Sequence, residues 1–208
     1  MGASSSTTRT RMSAEPTVPG SRNLRGHPYT GLTAEIGAPM PVTRMNHAVL
    51  YVRDIERTVT FYRDVLDFRT KVEIPGRAAF LQAPASQNDH DLGLFQVGQA
   101  AADSPAGRGA VGLYHLAWEV DTLDELDRLA GRLRDAGALV GASDHGATKA
   151  LYAHDPDGIE FEVCWLVPAD ELSEDMEMVT RPLDLDAEKR RYGASTRGGV
   201  GVSFPALV

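Results

Sequence analysis

Apolar and polar positions follow one order twice along this chain. Residues 44–52 (RMNHAVLYV) carry β-formers such as Val49 and Tyr51 and predict a strand. Asp54 then offers an N-cap, and Ile55, Val59, Tyr62 and Leu66 recur at helical spacing. Short strands are predicted at 68–73, 77–82 and 92–97, with Pro75-Gly76 as a turn. A small-residue linker follows at 100–109. The order then recurs: a strand at 112–120, Thr122 as N-cap, and Leu123, Leu126, Leu129 and Leu133 on one helical face. Gly137 suits the residue just past that helix. Strands are predicted at 138–142, 150–154 and 160–166, the last two joined by Asp155-Pro156-Asp157-Gly158, a strong turn signal.

The halves superpose at an offset of 115 − 47 = 68 positions. His47 then meets His115, Val52 meets Val120, Asp54 meets Thr122 and Ile55 meets Leu123. A duplicated βαβββ unit is the simplest account. The expected fold is α+β, with two such units (about 44–98 and 111–167) forming one curved open barrel lined from both halves.

Residues 1–40 are rich in Ser, Thr, Gly, Pro and Arg without an apolar period, so a disordered or extended arm is expected there. The repeats fill a domain at 41–168. Residues 169–208 form a C-terminal extension that turns acidic and Met-rich, then reaches RPLDLDAEKRRYG, which suits a short helix. Phe204 and Leu207 near the end are expected to pack on the domain or on a partner.

Charge narrows the function. A net −8 argues against nucleic acid as a partner. No apolar run reaches the ~18 residues of a membrane span. Cys164 is the only cysteine, so no intrachain disulfide forms. With no apolar leader at the N-terminus, a cytoplasmic location is expected.

The duplication also gives the histidines meaning. A single histidine in a strand is weak evidence, but two repeats here deliver one imidazole each from equivalent places. Strand alternation puts Glu160 and Glu162 on one face and Phe161 and Val163 on the other. A carboxylate on a concave apolar face is costly unless paired or metal-bound. His47, His115 and Glu162 make two imidazoles and one carboxylate, a set that leaves coordination positions open.

The segments MNHAVLYVRDIERTVTFYRDVLDF, NDHDLGLFQ, YHLAWEV, DHGATKALYAHDPDG and IEFEVCW resemble the vicinal oxygen chelate superfamily of glyoxalases, bleomycin- and fosfomycin-resistance proteins and type I extradiol dioxygenases. The resemblance spans roughly residues 44–167 and is nearest to one-domain extradiol enzymes. It implies that His47, His115 and Glu162 bind Fe(II), with Mn(II) as a substitute. It implies that His90 moves protons, and that His145 and Tyr152 contact the substrate oxygens. It further implies an aromatic diol and O2 as substrates and a homo-oligomer. In that family His90 would follow a second histidine, but Asp89 stands there.

Two rival readings attach to the same superfamily. An isomerase, epimerase or thiol transferase needs a fourth ligand from the strand at 92–97, where Gln96 is the nearest group. A protein that sequesters a drug-like molecule needs no metal triad. Phe80, Phe95, Phe161 and Trp165 could line a pocket, although ordinary core is the simpler reading of each. His154 and Glu119 share strand faces with Tyr152 and His115, and surface roles are expected for both. The charges at 121–135 fit the wet face of a helix.

Overall fold

A computed structural model describes residues 42, 44–106, 109–172 and 179–199. The first βαβββ unit comprises β1 (Ala48–Val52), α1 (Ile55–Leu66), β2 (Arg69–Ile74), β3 (Ala78–Gln82) and β4 (Leu92–Gln96). The second comprises β5 (Leu116–Glu119), α2 (Leu123–Asp135), β6 (Leu139–Asp144), β7 (Thr148–His154) and β8 (Glu160–Leu166). Both helices begin where their caps predict. The Asp54 carboxylate accepts from Arg57 N at 3.1 Å, and Thr122 Oγ1 accepts from Glu125 N at 3.2 Å.

Each unit makes its own sheet, and among the described residues no strand pairing joins the two ladders. The first runs β1-β4-β3-β2, with β1 and β4 parallel. The second runs β5-β8-β7-β6, with β5 and β8 parallel, and then gains a fifth strand, β9 (Arg181–Pro182), on β6. The fifth strand was not foreseen. Two residues are too few for a period to show, and one of them is a proline.

One core joins the units. Leu50, Val52, Leu92 and Leu94 from the first sheet, Tyr62 and Ile55 from α1, and Leu123 and Leu126 from α2 bury together with Phe161, Val163 and Trp165 of β8. The Phe61 and Phe161 rings lie 6.0 Å apart, and Phe68 meets Trp118 edge-on at 5.1 Å. Across the units, Arg128 and Arg132 of α2 reach Asp67 at 2.8 and 2.6 Å. Arg53, just past β1, bonds Asp157 of the DPDG turn through its backbone N–H and its guanidinium, both at 3.1 Å.

The C-terminal extension is part of this body. The expected short helix is α3 (Leu185–Tyr192), capped by Asp184. Its Lys189 pairs with Asp124 and Asp127 of α2 at 3.0 and 2.6 Å, and its Tyr192 ring lies 5.4 Å from Trp165. Lys149 of β7 is 1% exposed and bridges Asp144 (2.6 Å) and Glu188 of α3 (2.9 Å). The expected arm at 1–40, Phe204 and Leu207 lie outside the described residues.

Candidate active site

The sheet faces turned away from the shared core carry the chemistry. On the second sheet, pairing puts Ala117 beside Glu162, and Tyr152 beside Glu162 from the other side. His115 was expected within a strand but lies one residue ahead of β5, because pairing with β8 starts only at Leu116. From there its Nε2 reaches to 3.2 Å from Glu162 Oε2, while its Nδ1 lies 3.8 Å from Glu160 Oε1. His115 Nδ1 and Glu160 Oε1 are both buried and have no hydrogen-bond partner among the described residues. The Tyr152 ring is 5.9 Å from that of His115, and its hydroxyl lies 2.9 Å from His145 Nε2. Burial, and then the Glu162 charge, push the Tyr152 phenol up to about 12, so it stays protonated at neutral pH. The same two causes push the Cys164 thiol up to about 12, which leaves it inert.

The first sheet carries a second cluster. His47, one residue ahead of β1, lies against His90 with centroids 4.6 Å apart and the rings tilted by 42°, and His90 meets Phe80 edge-on at 5.0 Å. His90 Nδ1 lies 2.8 Å from Asp89 Oδ2, and that hydrogen bond holds the Asp89 carboxyl below its usual range. Asp89 thus orients the imidazole where the family pattern has another histidine. A network that sequence reading missed holds this corner. Asn88 Nδ2 donates to Asn46 O (2.9 Å) and Asp91 Oδ1 (2.7 Å), and its Oδ1 accepts from Arg44. Asp91 also receives Ala83 N and Ser86 Oγ. A buried Asn flanked by Ser and Asp in a polar loop is the signal that could have found it.

The other expected residues separate cleanly. Phe161 and Trp165 are core. Phe80 and Phe95 meet at 6.0 Å on the His90 side. Gln96 Oε1 accepts from Ile55 N at 3.2 Å, so it caps α1. His154 Nε2 lies 3.6 Å from Glu160 Oε2 with the ring nearly half exposed. A cleft of about 780 Å³ is lined by Tyr51, Arg53, Tyr114, His154 and Glu160, and none of His47, His90, His115, His145, Tyr152 and Glu162 lines it.

The donor set can be tested against a divalent cation. His115 Nε2 and Glu162 Oε2 lie 3.2 Å apart and are donor types that suit one, and the Glu160 oxygen without a hydrogen-bond partner among the described residues lies 3.8 Å from His115 Nδ1. His47 stays with His90. Among the described residues no three His, Cys, Asp or Glu side chains close on one metal position. The fit therefore covers two donors.

The description "Glyoxalase/Bleomycin resistance protein/Dioxygenase superfamily" matches residues 44–163, more than half the chain. The chain belongs to that superfamily. Catechol-2,3-dioxygenase of Bacillus subtilis (strain 168) is 32% identical over 121 residues, which cover 58% of this chain and 41% of that protein. Biphenyl-2,3-diol 1,2-dioxygenase 3 of Rhodococcus globerulus is 34% identical over 122 residues, covering 57% and 62%. The chain thus spans less than two thirds of the length of each of these relatives. A glyoxalase/bleomycin resistance protein/dioxygenase domain from Frankia sp. EAN1pec shares the fold at TM-score 0.51 and 24% identity, covering 60% of this chain and 92% of that one. The superfamily match ends at Phe161–Val163 in β8, so β9 and α3 lie beyond it. No described helix is long and apolar enough to cross a membrane.

Proposed function

We propose that this superfamily member is an extradiol-type dioxygenase that opens an aromatic diol beside its two hydroxyls with O2. One observation carries the reading: His115 and Glu162 stand 3.2 Å apart, with Tyr152 in register beside Glu162 and hydrogen-bonded to His145. The named diol dioxygenases among the relatives support the same chemistry. The proposed ligands are His115 and Glu162, joined by His47 from the equivalent place in the first unit. Bound Fe(II) supplies the Lewis acidity and redox chemistry that O2 insertion needs, and Mn(II) suits the same donors.

The chain's own groups do the rest. Tyr152, protonated at neutral pH, donates a hydrogen bond to a diol oxygen and fixes its register. His145 beside it accepts a proton from a diol hydroxyl. His90, oriented by Asp89, moves a proton on the opposite side. Phe80 and Phe95 present apolar surface to a ring there. Both oxygen atoms of O2 enter the product, so no external reductant is required. Gln96, engaged with the α1 N-terminus, speaks against the isomerase and transferase readings that need it as a fourth ligand. A homo-oligomer and a cytoplasmic location belong to the same proposal.

The test is anaerobic loading with Fe(II), then a panel of catechols under air. A yellow ring-opened product with stoichiometric O2 uptake is expected, and it should vanish in His115→Ala. A protein that binds iron yet consumes no O2 with any diol refutes the reading. One that retains no metal points to sequestration.

A further inference from the structure

Among the described residues the second unit differs from the first in its fifth strand, and the two residues just ahead of that strand reach His145. Pairing runs Ser143 to Pro182 and Asp144 to Arg181. Carried one step on, this antiparallel register sets Thr180 opposite His145. The Val179 carbonyl lies 3.0 Å from His145 Nδ1, and Thr180 Oγ1 lies 3.3 Å from the same atom. The backbone of His145 is fixed as well, its N–H donating to Thr148 O at 2.8 Å across the β6–β7 turn.

A carbonyl oxygen can only accept. The hydrogen bond to Val179 therefore requires the proton on Nδ1, and in the neutral ring Nε2 is then a bare acceptor. Nε2 is the atom 2.9 Å from the Tyr152 hydroxyl, a group that can donate to a bare ring nitrogen. The two contacts agree on one tautomer.

We propose that the segment leading into β9 is a tautomer lock: the Val179 carbonyl holds His145 with its proton on Nδ1, so that Nε2 faces Tyr152 and the substrate as a base. The lock is anchored well away from the site. Lys149 ties Asp144, at the end of β6, to Glu188 of α3. Tyr192 packs on Trp165, whose indole N–H donates to Thr196 O at 3.3 Å. Gly198 N and Gly199 N donate to Asp121 O and Leu166 O at 2.8 and 2.9 Å. Among the described residues the first sheet ends at β2 without such a strand. A segment beyond the superfamily match thus makes one of two duplicated turns fit for proton transfer. Val179 is a positioning residue, acting through His145. The tautomer stands on geometry alone, whereas its use on a diol rests on the proposed function.

Ring-¹⁵N-histidine NMR of the full chain reads the tautomer directly, without substrate. Wild type should show His145 protonated on Nδ1 and bare on Nε2. Replacing the Val179–Thr180 amide by an ester weakens that carbonyl as an acceptor. The Nε2–H form should then rise about fivefold, the worth of one neutral hydrogen bond. Turnover on a diol should fall by a similar factor at unchanged KM. Tyr152→Phe should keep the wild-type tautomer, as should Thr180→Ala at its exposed position. A wild type protonated on Nε2, an ester that leaves the ratio unchanged, or a tautomer that flips in Tyr152→Phe or Thr180→Ala overturns the lock. The expected tautomer shift in a protein that cleaves no diol upholds the lock and sinks the dioxygenase instead.

Discussion

Asp155 opens the DPDG turn and is 5% exposed. Oδ1 accepts from Asp157 N at 2.8 Å and Ile159 N at 2.9 Å, while Oδ2 is buried and has no hydrogen-bond partner among the described residues. Burial pushes this carboxyl up to about 6, against the pull of the two N–H donors. The folded value thus lies above the unfolded one. The folded chain binds the extra proton, so the stability tied to Asp155 is fully present below about pH 4 and is lost as pH rises through 6. Two pH units at about 1.4 kcal/mol each make the loss about 3 kcal/mol. Asp155→Asn keeps the Oδ1 acceptor and removes the charge. Urea unfolding of both proteins from pH 4 to 8 measures the effect. The variant's stability minus that of wild type should climb by about 3 kcal/mol across the interval and level off above pH 7. A flat difference would refute the reasoning, and a difference that falls with pH would reverse its sign.

Other substitutions probe the remaining joints. Lys149→Met strands Asp144 and Glu188 around a buried position and should cost about 3–5 kcal/mol in urea unfolding; a loss under 1 kcal/mol would mean that the pair is solvated. Gln96→Ala should cost about 1 kcal/mol by removing the acceptor for Ile55 N and leave iron content unchanged, so loss of iron would revive its role as a ligand. His90→Ala should slow diol turnover while sparing iron by atomic absorption, and iron loss there would place His90 among the ligands.

What the sequence revealed follows from how local each signal was. Both helices were legible because Asp54 and Thr122 cap them and their apolar residues recur at helical spacing. The duplication was legible because β1, α1 and β4 reappear 68 positions on as β5, α2 and β8. The cluster of His115, Glu162 and Tyr152 was legible through strand alternation and family resemblance, while its extent was not. Glu160 was placed on the correct face, but its approach to His115 depends on where β5 begins. Asn88, the buried Lys149 and the contact of Val179 with His145 depend on partners at sequence separations that no period reports. Phe161 and Trp165 were read both as pocket and as core, and only packing decided for core.

The two sheets also close their rims differently. β2 presents Lys71 and Glu73 along an exposed strand whose pairing slips between Thr70 and Val72, and charge with irregularity discourages a neighbouring chain from adding to it. β6 carries half-exposed Val140 and little charge before Asp144, and β9 pairs with the end of its rim, at Ser143 and Asp144. Losing the last thirty residues would therefore expose a bare strand to other molecules, and the shortened protein would be prone to association as well as less stable.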